Sequence, residues 1–435
     1  MIRKRKFVTR TEHLVDYART AGLEGEEYIQ KWILASAVTG DERLTGELIS
    51  HLQVSAAKEL VRPSPYKLAR EQELLQDIDP NRAVLFGHTA ETGVPVLYPL
   101  DGLARHVFVV GSTGSGKSNL LHGAVLQTMR MCPVWSFDRE KTESRIYLNW
   151  QPETLVLNAR RDLAWNFCQP PPGVDPHEWL TAITVTFAKC HALMDASEGL
   201  LHKVLTDLYA EFGVFEDSER YPTLADVLER LKSMKSRGYS RFAQYRDTLL
   251  NRLESWLAIA PNFGAYTKGV SLETLAESHV VFEIRGFTER QGRFFISAML
   301  MALFYYRMAQ GNQSGRLRNL IKIDEAASAF PKLRNDAMGA QALASLMGQS
   351  RSAGLGLLLA DQSPSDLDAA VMAHSNVKIC FRLGSGRDLK AMGDAIALSD
   401  DQRHHLLKLD VGEAVASLPR LSPFEFRVPK VRGMS

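Results

Sequence analysis

The stretch that most constrains this chain runs from His106 to Val125 and reads HVFVVGSTGSGKSNLLHGAV. An apolar, strand-like segment leads into a glycine-rich loop, and a helical pattern begins at Ser118. The loop, Gly111–Ser118, matches G-x-x-x-x-G-K-[ST] completely. Its glycines let the backbone point N–H groups at phosphates, and the following helix adds the positive end of its dipole. Because strand and helix flank the motif, we interpret it as a phosphate-binding loop and not as a chance glycine-rich segment.

The loop also predicts its ligand. In this pattern the lysine, Lys117, reaches the β- and γ-phosphates, and the hydroxyl of Ser118 is offered to Mg²⁺. We therefore expect ATP and Mg²⁺ as the cofactors. The candidate nucleotide-binding residues are Gly111, Ser112, Thr113, Gly114, Ser115, Gly116, Lys117, Ser118 and Asn119.

A second signal is NLIKIDEA, Asn319–Ala326, in which a short strand pattern ends in Asp324 and Glu325. In a P-loop sheet, an acidic residue at this place faces the Mg²⁺, which makes Asp324 the candidate metal residue. Glu325 would then polarise the attacking water as a general base. The alternative interpretation is a helix N-terminus, where Asp and Glu are also favoured.

A third signal is GLGLLLADQSPSDL, Gly354–Leu367, an apolar strand that ends in Asp361 and Gln362. A glutamine at this place can sense the γ-phosphate or orient the water. The alternative is a plain strand exit with turn chemistry from Ser363 and Pro364.

The rest of the chain predicts an α/β protein. Residues 1–82 read as a helical N-terminal region, and residues 83–435 as strands alternating with helices, which implies a mostly parallel central sheet. A helical insertion is expected at about 173–273. GEAVASLPRLSPFEFRVP reads as a closing hairpin, and Trp150, Trp165 and Trp179 as core residues.

Composition limits the class of protein. The formal net charge is only +2, so any nucleic-acid surface must be local. The four cysteines are far apart in sequence and form no C-x-x-C pair, which favours reduced, buried thiols over a zinc site. No apolar run approaches the roughly 18 residues that span a bilayer, and the basic start lacks a signal-peptide core. We therefore expect a cytoplasmic protein with no direct membrane insertion.

The order of the motifs resembles the HerA/FtsK superfamily of P-loop motors, which includes conjugative coupling and viral packaging ATPases. The segments that carry the resemblance are HVFVVGSTGSGKSNLL, IKIDEA, SRSAGLGLLLADQSPSDL, NVKICFRLGSGRD and LLKLDVGEAVAS, and it covers residues 83 to 425. It implies a RecA-like core, DNA as the partner, and a hexameric ring with ATP bound between neighbouring subunits. The helical start departs from the small β-barrel that usually begins HerA-type proteins, and membrane helices, usual in FtsK- and coupling-type proteins, are not evident.

The resemblance also assigns roles. The loop Gly111–Ser118, Asp324, Glu325 and Gln362 fall on its P-loop, metal, base and sensor positions. A neighbouring subunit's cation is expected to stabilise charge on the γ-phosphate. The candidates are Lys378 and Arg382, with Arg351 and Arg387 as alternatives. The family position aligns best with Lys378, but only arginine binds bidentately, so the assignment stays open.

Two loops are candidates for DNA-phosphate contact. RGFTERQGR contributes Arg290 and Arg293, and AFPKLRND contributes Lys332 and Arg334. The basic start Arg3–Lys6 could add a flexible phosphate contact or dock a partner. The alternative for each is an ordinary solvated surface.

Three hypotheses for function follow. The first is an ATP-driven DNA translocase or helicase of the HerA/FtsK type. The second is a coupling or packaging motor that works with a membrane anchor or another DNA-transfer component. The third is a nucleotide-gated ring that acts as a scaffold for an effector such as a nuclease.

Overall fold

The computed structural model describes residues 14–15, 18, 27–39, 43, 45–52, 64–140, 142–235, 240–263, 266–311, 315–332 and 346–431. The chain divides into two compact units, Met1–Pro65 and Tyr66–Ser435. In the first unit, α1 spans Glu27–Thr39 and a further helical stretch covers residues 45–52. Ile29, Leu48 and Leu52 are fully buried there, so this helical unit has a small core of its own.

The boundary between the two compact units lies at residues 65/66, whereas the division expected from the sequence lies at 82/83. The reason is α2 (Glu71–Leu75), which buries Leu74. Leu74 belongs to the same apolar cluster as Val84 and Val96 of the sheet, so this helix is part of the second unit.

Within the described residues of the second unit, eleven strands form one sheet. They are β1 (Ala83–Thr89), β2 (Pro95–Pro99), β3 (Val107–Val110), β4 (Val134–Asp138), β5 (Leu155–Asn158), β6 (Val280–Glu283), β7 (Asn319–Ile323), β8 (Leu355–Asp361), β9 (Val377–Cys380), β10 (Glu413–Ser417) and β11 (Phe424–Arg427). Their spatial order is β2-β1-β11-β10-β9-β3-β8-β7-β4-β6-β5.

Helices separate most of the parallel strands. They are α3 (Lys117–Thr128), α4 (Pro176–Cys190), α5 (Asp195–Glu211), α6 (Leu224–Ser233), α7 (Arg241–Ile259), α8 (Leu272–Ala276), α9 (Glu289–Ala309), α10 (Ala369–His374), α11 (Gly386–Ala395) and α12 (Asp400–His405). A further helical stretch covers residues 346–350.

The strands from β9 to β5 in this order are all parallel, whereas β10, β11, β1 and β2 join antiparallel at one side. Every residue of β3, β7 and β8 is buried, as a sheet covered on both faces requires. The mostly parallel α/β core predicted from the sequence is confirmed, and the two hairpins β1–β2 and β10–β11 complete it.

Strand order brings the predicted signals together. β8 lies between β3 and β7, with Val110 beside Asp361 and Ile323 beside Leu359. Because the carboxyl ends of parallel strands meet at one edge of the sheet, the segments that follow β3, β7 and β8 leave the sheet next to one another.

The helical insertion between β5 and β6 contains α4 to α8, where the sequence predicted helices. Trp179 is fully buried in its core, and Trp165 is 5% exposed. Trp150 is 47% exposed, so our expectation that it is a core residue is wrong. It follows a short 3₁₀ turn, Glu143–Asn149, and lies at the surface.

The close packing of β8 leads to a stability prediction. A Cβ added at Gly356 would lie 2.7 Å from the Leu103 carbonyl oxygen and 2.8 Å from Leu317 Cδ1. We therefore expect Gly356→Ala to lower the free energy of unfolding by about 1–3 kcal/mol. The matched control is Gly199→Ala in α5, where a Cβ meets nothing within 4 Å and helix propensity favours alanine. Urea unfolding checks both, and equal stability of Gly356→Ala and the native chain would contradict the packing argument.

Candidate active site

The glycine-rich loop begins directly after β3 and ends at the start of α3. Gly114 and Gly116 have φ angles of +75° and +115°, which side chains other than glycine rarely adopt. At Gly111 the constraint is space, because an added Cβ would lie 2.6 Å from Cβ of Phe381. The three glycines are therefore each required by the local geometry.

Hydrogen bonds from neighbouring segments hold the loop in shape. The Ser112 N–H donates to the Arg382 carbonyl at 2.8 Å, just beyond β9. The Gly412 N–H donates to the Ser115 carbonyl at 2.9 Å, and Ser115 Oγ donates to the Ser112 carbonyl at 2.8 Å. The loop is thus fixed by the sheet and by the turn before β10.

A cleft opens at the carboxyl edge of the sheet, beside this loop. It is lined by Thr113, Gly114, Lys117, Ser118, Asp138, Arg139, Glu140, Glu143, Lys322, Asp324, Glu325 and Gln362. The cleft therefore brings together the loop and the three polar residues that the sequence predicted at the ends of β7 and β8.

Lys117 lies over the loop. Its Nζ donates to the carbonyl oxygens of Gly111 at 2.5 Å and Ser112 at 3.0 Å, and the side chain is buried. Ser118 follows it in the first turn of α3 and lines the same cleft. A cation and a hydroxyl therefore stand side by side at the positive end of a helix.

Asp324 and Glu325 leave β7 in a strained turn. Glu325 has a φ of +61°, and its N–H donates to Asp324 Oδ1 at 3.1 Å. Burial, and then the charge of Asp324, raise the pKa of the Glu325 carboxyl above its ordinary value. A strained backbone and a raised carboxyl pKa are both typical of residues that act in chemistry.

Asp361 is a buried carboxylate that connects β8 to this turn. Its Oδ2 accepts the Ala327 N–H at 2.7 Å, and its Oδ1 accepts the N–H groups of Gln362 at 2.7 Å and Ser363 at 3.0 Å. Burial raises its pKa, while these hydrogen bonds act in the opposite direction. Asp361 therefore fixes both the segment after Glu325 and the backbone of Gln362.

The side chain of Gln362 reaches the phosphate-binding loop. Its Oε1 accepts a hydrogen bond from Thr113 Oγ1 at 2.8 Å. The end of β8 thus contacts the loop on one side and the Glu325 turn on the other.

Lys322 and Asp138 are cleft residues that sequence reasoning missed. Lys322 Nζ lies 3.4 Å from Asp138 Oδ1 and donates to Ser144 Oγ at 3.1 Å, with both charged groups buried. Burial lowers the Lys322 pKa, but Tyr147, Asp138 and Asp324 more than offset it, so the pKa is raised overall. The signals available in the sequence were a lysine inside the apolar strand β7 and an aspartate at the end of β4.

Asn119 lies outside the cleft lining. Its Nδ2 donates to the Pro429 carbonyl at 2.6 Å, and its Oδ1 accepts the Val431 N–H at 2.8 Å. The side chain holds the C-terminal segment onto α3, because one helical step turns it away from Ser118.

The candidate trans cations lie outside the cleft of their own chain. Lys378, near the amino end of β9, donates to the Ser375 carbonyl at 2.8 Å, and burial lowers its pKa. Arg382 is exposed just after β9, and Arg351 and Arg387 are exposed as well.

The candidate DNA-contact residues are dispersed. Arg290 and Arg293 lie near the start of α9, the former exposed and the latter half-buried, and Lys332 is exposed. Arg334 and the basic stretch Arg3–Lys6 lie outside the described residues.

The residues present fit a nucleotide with Mg²⁺. Mg²⁺ prefers oxygen ligands, and the Ser118 hydroxyl and the Asp324 carboxylate line the same cleft as Lys117. The loop has the shape of a phosphate cradle, and the Cβ that Gly111 lacks would overlap its surroundings.

Comparison with known proteins shows sequence similarity to DNA repair helicases. No family model matches the chain. The DNA double-strand break repair helicase HerA of Saccharolobus solfataricus is 22% identical over 366 residues, covering 81% of this chain and 69% of the relative. HerA of Sulfurisphaera tokodaii is also 22% identical, over 371 residues, with 82% and 70% covered.

Two solved structures share the fold. VirB4 of Thermoanaerobacter pseudethanolicus has a TM-score of 0.64 at 16% identity and covers 82% of this chain and 98% of its own. The plasmid coupling protein TrwB with ADP and Mg²⁺ has a TM-score of 0.62 at 15% identity, with 84% and 93% covered.

The loop, the acidic strand ends and these likenesses together define a P-loop ATPase. More particularly, its likeness to the two HerA helicases supports a relationship to the HerA/FtsK superfamily. Its four cysteines are buried and free. Over the described ranges, no helix is both long and apolar enough to cross a membrane.

The position of Lys117 gives a binding prediction. Lys117→Ala removes the cation of the loop, so we expect ATP affinity to fall about 10- to 100-fold, as for a lost charge-assisted hydrogen bond. Titration with a fluorescent ATP analogue measures this. The control is Lys203→Ala, an exposed lysine of α5, which should bind as the native chain does. If Lys117→Ala bound ATP with unchanged affinity, the loop Gly111–Ser118 would not be part of the ATP-binding site.

Proposed function

We propose that this protein is an ATP-driven DNA translocase or helicase that works as a hexameric ring. The observation that carries the proposal is the position of β8, which ties Gln362 to the phosphate-binding loop and Asp361 to the turn after Glu325. Such a connection suits a motor. Gln362, which would meet the terminal phosphate, is linked through Asp361 to the turn that carries Glu325, which would act on water. DNA as the partner is supported by the likeness to the HerA helicases.

Different residues of the chain have different roles in ATP hydrolysis. Loop N–H groups and Lys117 bind the phosphates, and Ser118 and Asp324 would hold Mg²⁺. The metal supplies positive charge that offsets charge developing on the phosphate oxygens. Glu325 accepts a proton from the attacking water, and burial and the charge of Asp324 raise the pKa of its carboxyl above the ordinary value.

Gln362 and Asp361 have positioning roles in this scheme. Gln362 would sense the terminal phosphate, because its amide already lies within hydrogen-bond distance of Thr113 in the phosphate-binding loop. Asp361 connects that position to Ala327, two residues beyond the base. A change at the phosphate can therefore reach the Glu325 turn and the segment that follows it.

The proposed ring is needed to complete the site. Among the described residues, the cations that line the cleft are Lys117, Arg139 and Lys322, and Lys322 is paired with Asp138. A neighbour's Lys378 or Arg382 would add positive charge to the terminal phosphate, and both residues remain candidates.

The base assignment gives a kinetic prediction. Glu325→Gln keeps the size of the side chain but cannot accept the proton, so we expect ATP to remain bound while kcat falls about 10²- to 10⁴-fold. The control is Glu229→Gln, which alters an exposed carboxylate of α6 outside the cleft lining and should keep kcat within a few-fold of native. A phosphate-release assay and an ATP-binding titration measure the two quantities. Native turnover by Glu325→Gln would show that another group is the base.

The DNA partner is tested by the ATPase rate of the assembled native protein with and without duplex DNA. We expect the rate to rise with DNA and the stimulation to weaken as salt increases, because phosphate contacts release counterions. Glu325→Gln serves as the control for contaminating ATPases. Equal rates with and without DNA, in a sample shown to be oligomeric by light scattering, would contradict the proposal.

A further inference from the structure

Three helices meet near the start of α9 and bring several arginines together. Gln291 Nε2 donates to the Ser255 carbonyl at 3.3 Å, which joins the start of α9 to α7. Trp256 Nε1 donates to His191 Nε2 at 3.0 Å, which joins α7 to the end of α4.

These contacts place Arg252 near Arg290 and Arg293. Arg252 lies about one turn before Ser255 and Trp256 on α7, and so shares their face of the helix. Arg290 and Arg293 flank Gln291, the residue that bonds to Ser255. We call these three arginines the arginine nest.

The nest contains donors that lack acceptors. The Nε atoms of Arg252 and Arg293 are buried and have no hydrogen-bond partner among the described residues. An unpaired buried donor costs stability, and more so when it carries charge. Each of these two guanidinium groups therefore carries a donor that the described part of the chain leaves unpaired.

The surrounding charge has the same sign. Burial, followed by the charges of Arg252, Arg290 and Arg293, lowers the pKa of His191 to about 3, so this histidine is neutral. For Arg293, burial lowers the pKa, Cys190 and Glu289 raise it, and Arg290 and Arg139 lower it further. Arg293 is therefore acted on by two cations, Arg290 and Arg139, and by one carboxylate, Glu289.

The amino-terminal end of α9 is an unfavourable position for cations. Arg290 and Arg293 lie in the first two turns of α9, where the positive end of the helix dipole favours anions. Three guanidinium groups at the start of a helix are stabilised when an anion binds between them.

We propose that the arginine nest binds a backbone phosphate of DNA. The inference rests on the proposed function, and it names a place on the chain where DNA is held, with Arg252 as a member that the loop pattern did not indicate. Arginine binds phosphate bidentately, so the nest would grip the backbone without reading base sequence. None of the three arginines is among the residues that line the cleft.

The proposal is tested by the affinity of the assembled protein for a fluorescent DNA duplex over a range of salt concentrations. In each of Arg252→Met, Arg290→Met and Arg293→Met we expect affinity to fall about tenfold and the slope of log K against log salt to shrink by about 1. Arg293→Lys keeps the charge but loses the planar fork, so it should bind between Arg293→Met and the native chain. The matched control is Arg241→Met, an exposed arginine at the start of α7, which should bind as the native chain does.

Each outcome decides between the explanations. If native protein binds DNA and all three methionine variants bind it equally well, the arginine nest does not bind DNA, while the proposed function stands. If the variants lose ATP affinity and keep DNA affinity, the nest serves nucleotide and the inference is overturned. If native protein binds no DNA, the proposed function and the nest fail together. Should Arg252→Met or Arg293→Met unfold, as circular dichroism would reveal, the exposed Arg290→Met carries the test.

Discussion

The pairing of β8 with β3 on one side and β7 on the other determines the geometry of the cleft. Parallel pairing fixes the register, so the residues that follow these three strands emerge at one edge of the sheet. The phosphate-binding loop, the acidic pair and Gln362 come from distant parts of the sequence and meet only because of this order. Without β8 in the central position, the loop and the acidic strand would have no common neighbour to couple them.

The cleft concentrates features that cost stability. It contains the buried Lys322–Asp138 pair and the positive φ of Glu325, and the buried carboxylate of Asp361 lies next to the lining residue Gln362. Buried ion pairs contribute little net stability, and a strained residue costs about 1–3 kcal/mol. The fully buried parallel strands supply the packing that tolerates these costs. Their concentration in one cleft indicates that the arrangement is kept for its chemistry.

Local patterns in the sequence predicted which strand-end residues come together in the cleft. The loop Gly111–Ser118, the acids after β7 and Gln362 after β8 all follow from short patterns of strand, polar residue and glycine. Such patterns report strand ends, and strand ends of a parallel sheet share one edge. The mostly parallel core and the helical insertion were predictable for the same reason, because the period of apolar residues differs between strand and helix.

Contacts between distant segments were not predictable from local patterns. Lys322 and Asp138 meet because β4 pairs with β7, which no pattern within either strand specifies. The compact unit that begins at Tyr66 includes Leu74 because of its packing partners in the sheet. Trp150 was placed in the core because residue type alone does not give burial. The membership of Arg252 in the arginine nest likewise depends on the contact between α7 and α9.

The most direct test of the account is an electron-microscopy structure of the purified protein with Mg²⁺, a non-hydrolysable ATP analogue and duplex DNA. The account predicts a closed ring with DNA in its hole and a nucleotide at each seam between subunits. Ser118 and Asp324 would hold Mg²⁺ beside that nucleotide, and Glu325 should face the terminal phosphate. Solitary molecules, or nucleotide bound at a place remote from Ser118, Asp324 and Glu325, would contradict it.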